Sequence, residues 1–203
     1  MCCIRVKVFL CLFFFCFFID SSLAGNGPIE DLKPTLNGIM GVITDPAFQA
    51  AEKKDERRKR VMVIAESGFD FEAMARLALG KTWKKIDTGQ RQYFVELFMK
   101  LMENAYVGKL ESYTGQVTKY IGERIKGKKA EVKTIMKNNG VSLPVNYIMV
   151  KKTDVWKVYD INIEGVRLLR NYREQFKSIL RKKKFDGLLK VLEEKNATFV
   201  QSS

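Results

Sequence analysis

Two neighbouring segments, VNYIMV (residues 145–150) and VWKVYDINI (Val155–Ile163), are apolar at almost every position. Both are short and rich in β-branched and aromatic residues, which marks them as strands. Side chains alternate across a strand, so Val145, Tyr147 and Met149 point one way while Ile148 and Val150 point the other. By the same alternation Tyr159, Ile161 and Ile163 oppose Trp156 and Val158. A β-bulge near Asp160 would invert that facing. An antiparallel sheet with one wet face would carry polar residues at every second position. The spacing therefore predicts a sheet covered on both faces. Helices on both sides satisfy this, and so does a cavity between a curved sheet and its helices that holds an apolar ligand.

The surrounding chain supplies both strands and helices. QVTKYIGERIKG and AEVKTIMK precede the two segments, and the breaks between them (Lys-Gly-Lys-Lys, Asn-Asn-Gly, Thr-Asp) suit hairpin turns. A four-stranded antiparallel meander is the simple expectation. Ahead of it, Ile29, Leu32, Leu36, Ile39, Met40 and Ile43 share one helical face, with Pro34 and Gly38 as points where that helix could kink. Asp45-Pro46 reads as the start of a second helix over residues 47–67. FDFEAMARLALGKTW is a third helix, capped by Asp70 and stopped by Gly80. Phe94, Leu97, Phe98, Leu101, Met102 and Ala105 mark a wide, bulky apolar stripe and the strongest helix of the chain, entered through DTGQRQ. Two helices close the chain, the first marked by Leu169, Tyr172, Phe176, Ile179 and Leu180, the second by Phe185, Leu188, Leu189 and Leu192. The expectation is one α+β domain over residues 25–196, a curved four-stranded sheet wrapped by N-terminal and C-terminal helices, with a frayed tail over residues 197–203.

Residues 1–24 read differently. Arg5 and Lys7 precede an unbroken apolar run, and Ser22 and Ala24 stand at the −3 and −1 positions of a cleavage motif, the pattern of a secretory signal cut after Ala24. All four cysteines lie in this leader, and the chain has no histidine. The exported part would fold without disulfides and without the usual zinc ligands, a His-based triad or a Cys nucleophile. No metal or other cofactor is expected. Carboxylate or lysine chemistry stays open, with Asp160 as a candidate base of a small isomerase or dehydratase. The net charge of +13 becomes +12 once Arg5, Lys7 and Asp20 are removed with the leader. Such a balance favours acidic partners, and export argues for membrane or protein surfaces over nucleic acid. The basic run KKDERRKR (residues 53–60) is read as a solvated helix face.

WKVYDINIEGVRLLRNYREQF, followed by FDGLL, resembles the signature of the MlaC family, also called the toluene-tolerance auxiliary proteins. FDFEAMARLALGKTWKKIDTGQRQYFVELFMKLM is similar to the family's earlier pattern, with Phe71, Met74, Leu79, Gly80, Trp83, Gln90, Arg91, Phe94 and Phe98 in order. The resemblance covers residues 45–192. Arg167 and Glu174 stand where smaller polar residues are expected. The resemblance implies a monomeric periplasmic carrier, not an enzyme, that shuttles phospholipid between an outer-membrane lipoprotein complex and an inner-membrane ABC transporter. A hopanoid or other terpenoid cargo is the alternative it leaves open, and an adaptor that only bridges two membrane complexes is another.

The physics of such a cargo is severe. At about 0.8 kcal/mol per methylene, a diacyl lipid with roughly 30 of them resists crossing water by more than about 20 kcal/mol. A carrier needs a bulky, adaptable interior. The residues expected to line it are Phe94, Phe98, Leu101 and Met102 from the long helix. Val132, Val145, Tyr147, Met149, Trp156, Val158, Ile161 and Ile163 come from the sheet, and Val166, Leu169 and Tyr172 from the closing segment. Asp160 is expected to be a structural carboxylate paired with an arginine such as Arg173. Asn171 and Arg173 either brace the helix on the sheet or meet a headgroup phosphate.

Overall fold

The computed structural model describes residues 26–107, 117–138 and 140–201. The expected leader, residues 1–24, lies outside them. No helix among the described residues is long and apolar enough to cross a membrane.

Helix α1 (Pro28–Thr44) starts with Pro at its first position and Glu30 and Asp31 in its first turn, both favourable at an N-terminus. Glu123 reaches over from the sheet and accepts a hydrogen bond from the Ile29 N–H at 2.8 Å. The helix runs unbroken through Pro34 and Gly38. Gly38 serves packing instead: a Cβ there would lie 3.1 Å from Ile64. The expected helix start at Asp45-Pro46 needs correcting. Asp45 caps only a single 3-10 turn, Pro46–Phe48, a second such turn follows at Ala51–Lys53, and helix α2 begins at Lys54 and ends at Gly68. Gly68 sits against α1, where a Cβ would collide with the side chain of Thr35.

Helix α3 (Phe71–Leu79) has the expected Asp70 cap, whose Oδ1 accepts from the Ala73 N–H at 3.1 Å. Gly80 ends it at φ +64°. Helix α4 (Thr88–Met102) opens on a capping box, Asp87 accepting from the Gln90 N–H at 2.8 Å and Gln90 from the Asp87 N–H at 3.1 Å. Its last turn widens into a π-helical turn, Glu103–Val107. Helix α5 (Leu168–Gln201) consists of two limbs broken at Lys184, which has φ +60° and ψ −165°. The second limb runs to Gln201.

The sheet is open and antiparallel, in the order β1 (Val117–Lys126), β2 (Lys129–Asn138), β3 (Val141–Lys152), β4 (Val155–Ile163) and β5 (Val166–Arg167). The fifth strand is an addition to the expected four. It exists because Glu164 and Gly165 both adopt positive φ, +50° and +86°, the geometry of a two-residue turn that matches strand twist. Ile163 is thereby paired with Val166 and Asn162 with Arg167.

The facing of β4 departs from simple alternation. Met149 pairs with Val158, but Ile148 pairs with Asp160, leaving Tyr159 as an extra residue. Beyond this bulge Ile161 pairs with Tyr147 and Ile163 with Val145. Ile161 and Ile163 therefore join Trp156 and Val158 on one face instead of opposing them. That face, with Ala130, Val132, Val145, Tyr147 and Met149, packs on Leu32 and Leu36 of α1. Among the described residues, helices do not seal the opposite face over its length. There Ile148 and Val150 are half-buried beside Lys129, Glu131 and Lys133.

Among the described residues three apolar clusters make up the interior. Helices α3, α4 and α5 enclose one, the sheet and α1 another, and α1, α2 and Val107 the third. Phe69 packs against all three. Next to it the Asp70 N–H donates to the Val158 carbonyl at 2.8 Å, fastening the start of α3 to β4.

Candidate functional site: an apolar cavity between helices and sheet

A cavity of about 440 Å³ lies where the three clusters meet. Helices α1 and α2 contribute Leu36, Ile39, Met40, Val61, Met62 and Ala65. Phe69, Phe71, Met74 and Leu168 close another side. Met102, Tyr106 and Val107 come from the end of α4 and its π-turn, and Met136, Leu143, Val145, Tyr147, Ile161 and Ile163 from the sheet. Only Thr118, Glu103 and Glu164 add polar side chains with no apolar ring. Glu103 is held by Lys100 at 3.0 Å. The size falls within the roughly 300–1,000 Å³ of small-molecule sites.

Five of the eight methionines of the chain, Met40, Met62, Met74, Met102 and Met136, border this one space. An unbranched thioether fills irregular gaps and changes rotamer at low cost. The wall is adaptable in the way a flexible hydrocarbon guest requires. Burial pushes the Tyr147 hydroxyl well above its ordinary pKa. Tyr106 and Tyr172 share a hydrogen bond at the edge of the helical core, and burial raises both. All three stay neutral at ordinary pH.

Met102, Val145, Tyr147, Ile161 and Ile163 are the expected lining residues that border the cavity. Phe94, Phe98, Leu101 and Tyr172 lie instead in the core between α4 and α5. Phe94 and Phe98 stack at 6.2 Å and meet Phe176 edge-on at 5.9 and 6.3 Å, while Tyr172 stands edge-on to Phe98 at 5.9 Å. Val132, Met149, Trp156 and Val158 are buried under α1. Leu169 is buried and faces a separate groove across the β4–α5 corner. Val166 is 61% exposed on the edge strand. The α1 and α2 residues of the wall were not among the expected set, although Leu36, Ile39 and Met40 belong to the apolar face legible in the sequence.

The corner beside the cavity is built on Asp160, 3% exposed. Its Oδ1 accepts from the Ile161 N–H at 2.8 Å and from the Leu169 N–H at 3.2 Å. Its Oδ2 accepts from Arg167 Nε at 2.7 Å, with Arg167 Nη2 at 2.6 Å. The partner is thus Arg167 and not Arg173, because the β4–β5 turn folds Arg167 back onto the strand. Leu169 lies in the first turn of α5, so the carboxylate also caps that helix. Arg173 packs over Gly80, where a Cβ would come within 3.1 Å of its Nε. Asn171 is exposed and accepts a hydrogen bond from Gln175 at 3.4 Å. Both carboxylate oxygens of Asp160 are committed to its own chain, and among the described residues no group of acidic, His or Cys side chains could hold a metal ion.

An open antiparallel sheet flanked by helices, with an adaptable apolar cavity between them, is the architecture of a small-ligand binding module. Comparison with known proteins agrees. The family model described as MlaC protein matches residues 33–194, and the chain belongs to that family. It is 28% identical over 151 residues to the intermembrane phospholipid transport system binding protein MlaC of Haemophilus influenzae, covering 70% of this chain and 71% of that protein. Among solved structures it resembles the phospholipid-binding protein from Ralstonia solanacearum in complex with a phospholipid. The TM-score is 0.77 at 26% identity, over 86% of this chain and 99% of the other.

Proposed function

We propose that the protein is a phospholipid carrier of the periplasm, which holds acyl chains in the cavity between α1, α2 and the sheet. It takes lipid from one membrane complex and delivers it to another, an outer-membrane lipoprotein assembly and an inner-membrane ABC transporter being the two ends. The methionine-lined cavity carries this reading, since it offers hydrocarbon a dry surface that can reshape around it. The relatives support it: one is a binding protein of intermembrane phospholipid transport and another holds a phospholipid. Asp160 acts as a structural brace in this reading, and the protein has no catalytic residue.

The test is organic extraction of the protein purified from the periplasm, followed by mass spectrometry. The expected outcome is diacyl phospholipid at about one per protein. A terpenoid at that stoichiometry would replace the cargo, and a lipid-free protein that still binds its membrane complexes would make it an adaptor.

A further inference from the structure

A second concavity, of about 930 Å³, lies across the β4–α5 corner from the apolar cavity. One wall is the first limb of α5, which presents Arg170, Arg173, Lys177 and Arg181 to it, with Arg167 of β5 just ahead of them. The four helical positions recur every three or four residues, so they form a single stripe along one helical face, about 17 Å long at 1.5 Å per residue. Lys81 and Lys129 face the stripe from the end of α3 and from the sheet.

The opposing charge is small. Asp160 and Glu174 are the acidic residues of the groove, and each is matched, Asp160 by Arg167 at 2.6 Å and Glu174 by Lys177 at 3.7 Å. Five cations are left without an acidic partner in the groove. Like charges this close repel, and holding them in a concavity focuses the positive potential outward. The floor between them is not polar throughout: Leu77, Leu79, Leu169, Leu180 and Tyr159 line it.

We propose that this groove docks an acidic polypeptide segment of a partner protein, one that carries Glu or Asp along its length with apolar side chains between them. Shape selects the partner class. A bilayer surface is broad and meets cations on a convex face, whereas these line a cleft. Leucines on the floor suit side chains of a polypeptide. Electrostatic attraction of this kind mainly speeds encounter and fixes orientation. The inference does not depend on the identity of the cargo.

The experiment uses the full exported chain and a short fluorescein-labelled peptide of repeating Glu-Glu-Leu, with the Gln-Gln-Leu peptide as its neutral match. Binding is followed by anisotropy at low and raised salt. The acidic peptide is expected to bind, to weaken as salt rises, and to outcompete the neutral one. Arg170→Glu with Arg181→Glu should lower affinity about tenfold or more, as reversal of docking charges does. Lys59→Glu with Lys195→Glu, the same change in net charge placed elsewhere, should change it less than about threefold. Equal losses in the two pairs would overturn the groove in favour of general charge. Binding to phosphatidylglycerol vesicles but not to the peptide would overturn it in favour of a membrane surface. Arg170→Gln with Arg181→Gln repeats the readout should the reversal disturb folding by circular dichroism.

Discussion

Arg167 and Asp160 sit seven residues apart and close a ring through the β4–β5 turn, the guanidinium meeting Asp160 Oδ2 at 2.6 Å while Oδ1 holds the first turn of α5. Their contributions should be unequal. Asp160→Ala strands the buried Leu169 N–H and removes the cap, a loss of about 3 kcal/mol. Arg167 is 42% exposed at its side chain, so Arg167→Ala should cost only about 1 kcal/mol. Urea midpoints of the two variants check this. Equal costs would mean that the ion pair, not the cap, is the anchor.

Cavity wall and helical core should respond to mutation in opposite ways. Leu143→Glu and Ile163→Glu place charge on the lining of half-buried strand positions. Lipid occupancy by mass spectrometry should fall severalfold while circular dichroism stays native. Unchanged occupancy would move the cargo elsewhere.

Phe94→Ala removes a fully buried ring that touches Phe98, Phe176 and Phe185. It should cost about 3–5 kcal/mol. Occupancy of the protein that remains folded should be close to wild type, because Phe94 is no part of the cavity wall.

Alkaline stability should be set by tyrosine. The folded-state pKa of Tyr147 is raised by burial above its ordinary value of 10.0. The unfolded chain thus loses the proton first. Stability from this group is complete below about pH 10 and is lost as pH rises from there toward the folded pKa. Denaturation midpoints should be level up to about pH 9 and then fall. Tyr147→Phe should make the fall shallower.

Thr153 holds φ +53° in the two-residue turn between β3 and β4. A β-branched residue is strained there. Thr153→Gly should raise stability by about 1 kcal/mol, read as a higher urea midpoint.

Much of the fold was legible because local chemistry and tertiary structure agree. Asp70 and Asp87 cap the helices their sequences announce, and the Lys184 break falls between the two apolar stripes of the closing segment. Where the two diverge, the cause is identifiable. A period of two cannot reveal the extra residue at Tyr159, the bulge that inverts the facing of Ile161 and Ile163 relative to simple alternation. Arg167 and Arg173 look alike in sequence; only the positive φ values of Glu164 and Gly165 select the first. Basic residues 53–60 read as a solvated face, yet Arg57 is buried and its guanidinium donates to the Phe48 carbonyl. The cavity was hardest, since an apolar helix face has the same pattern whether it meets protein or a void. Phe94 and Phe98 belong to a helical stripe that fills core, and Ile39 and Met40 to one that borders the space.

Among the described residues Phe69 is the one partly buried ring shared by all three clusters, and it also borders the cavity. A change of side chain there would therefore be felt in three separately packed centres at once, which makes it the position least able to vary by itself.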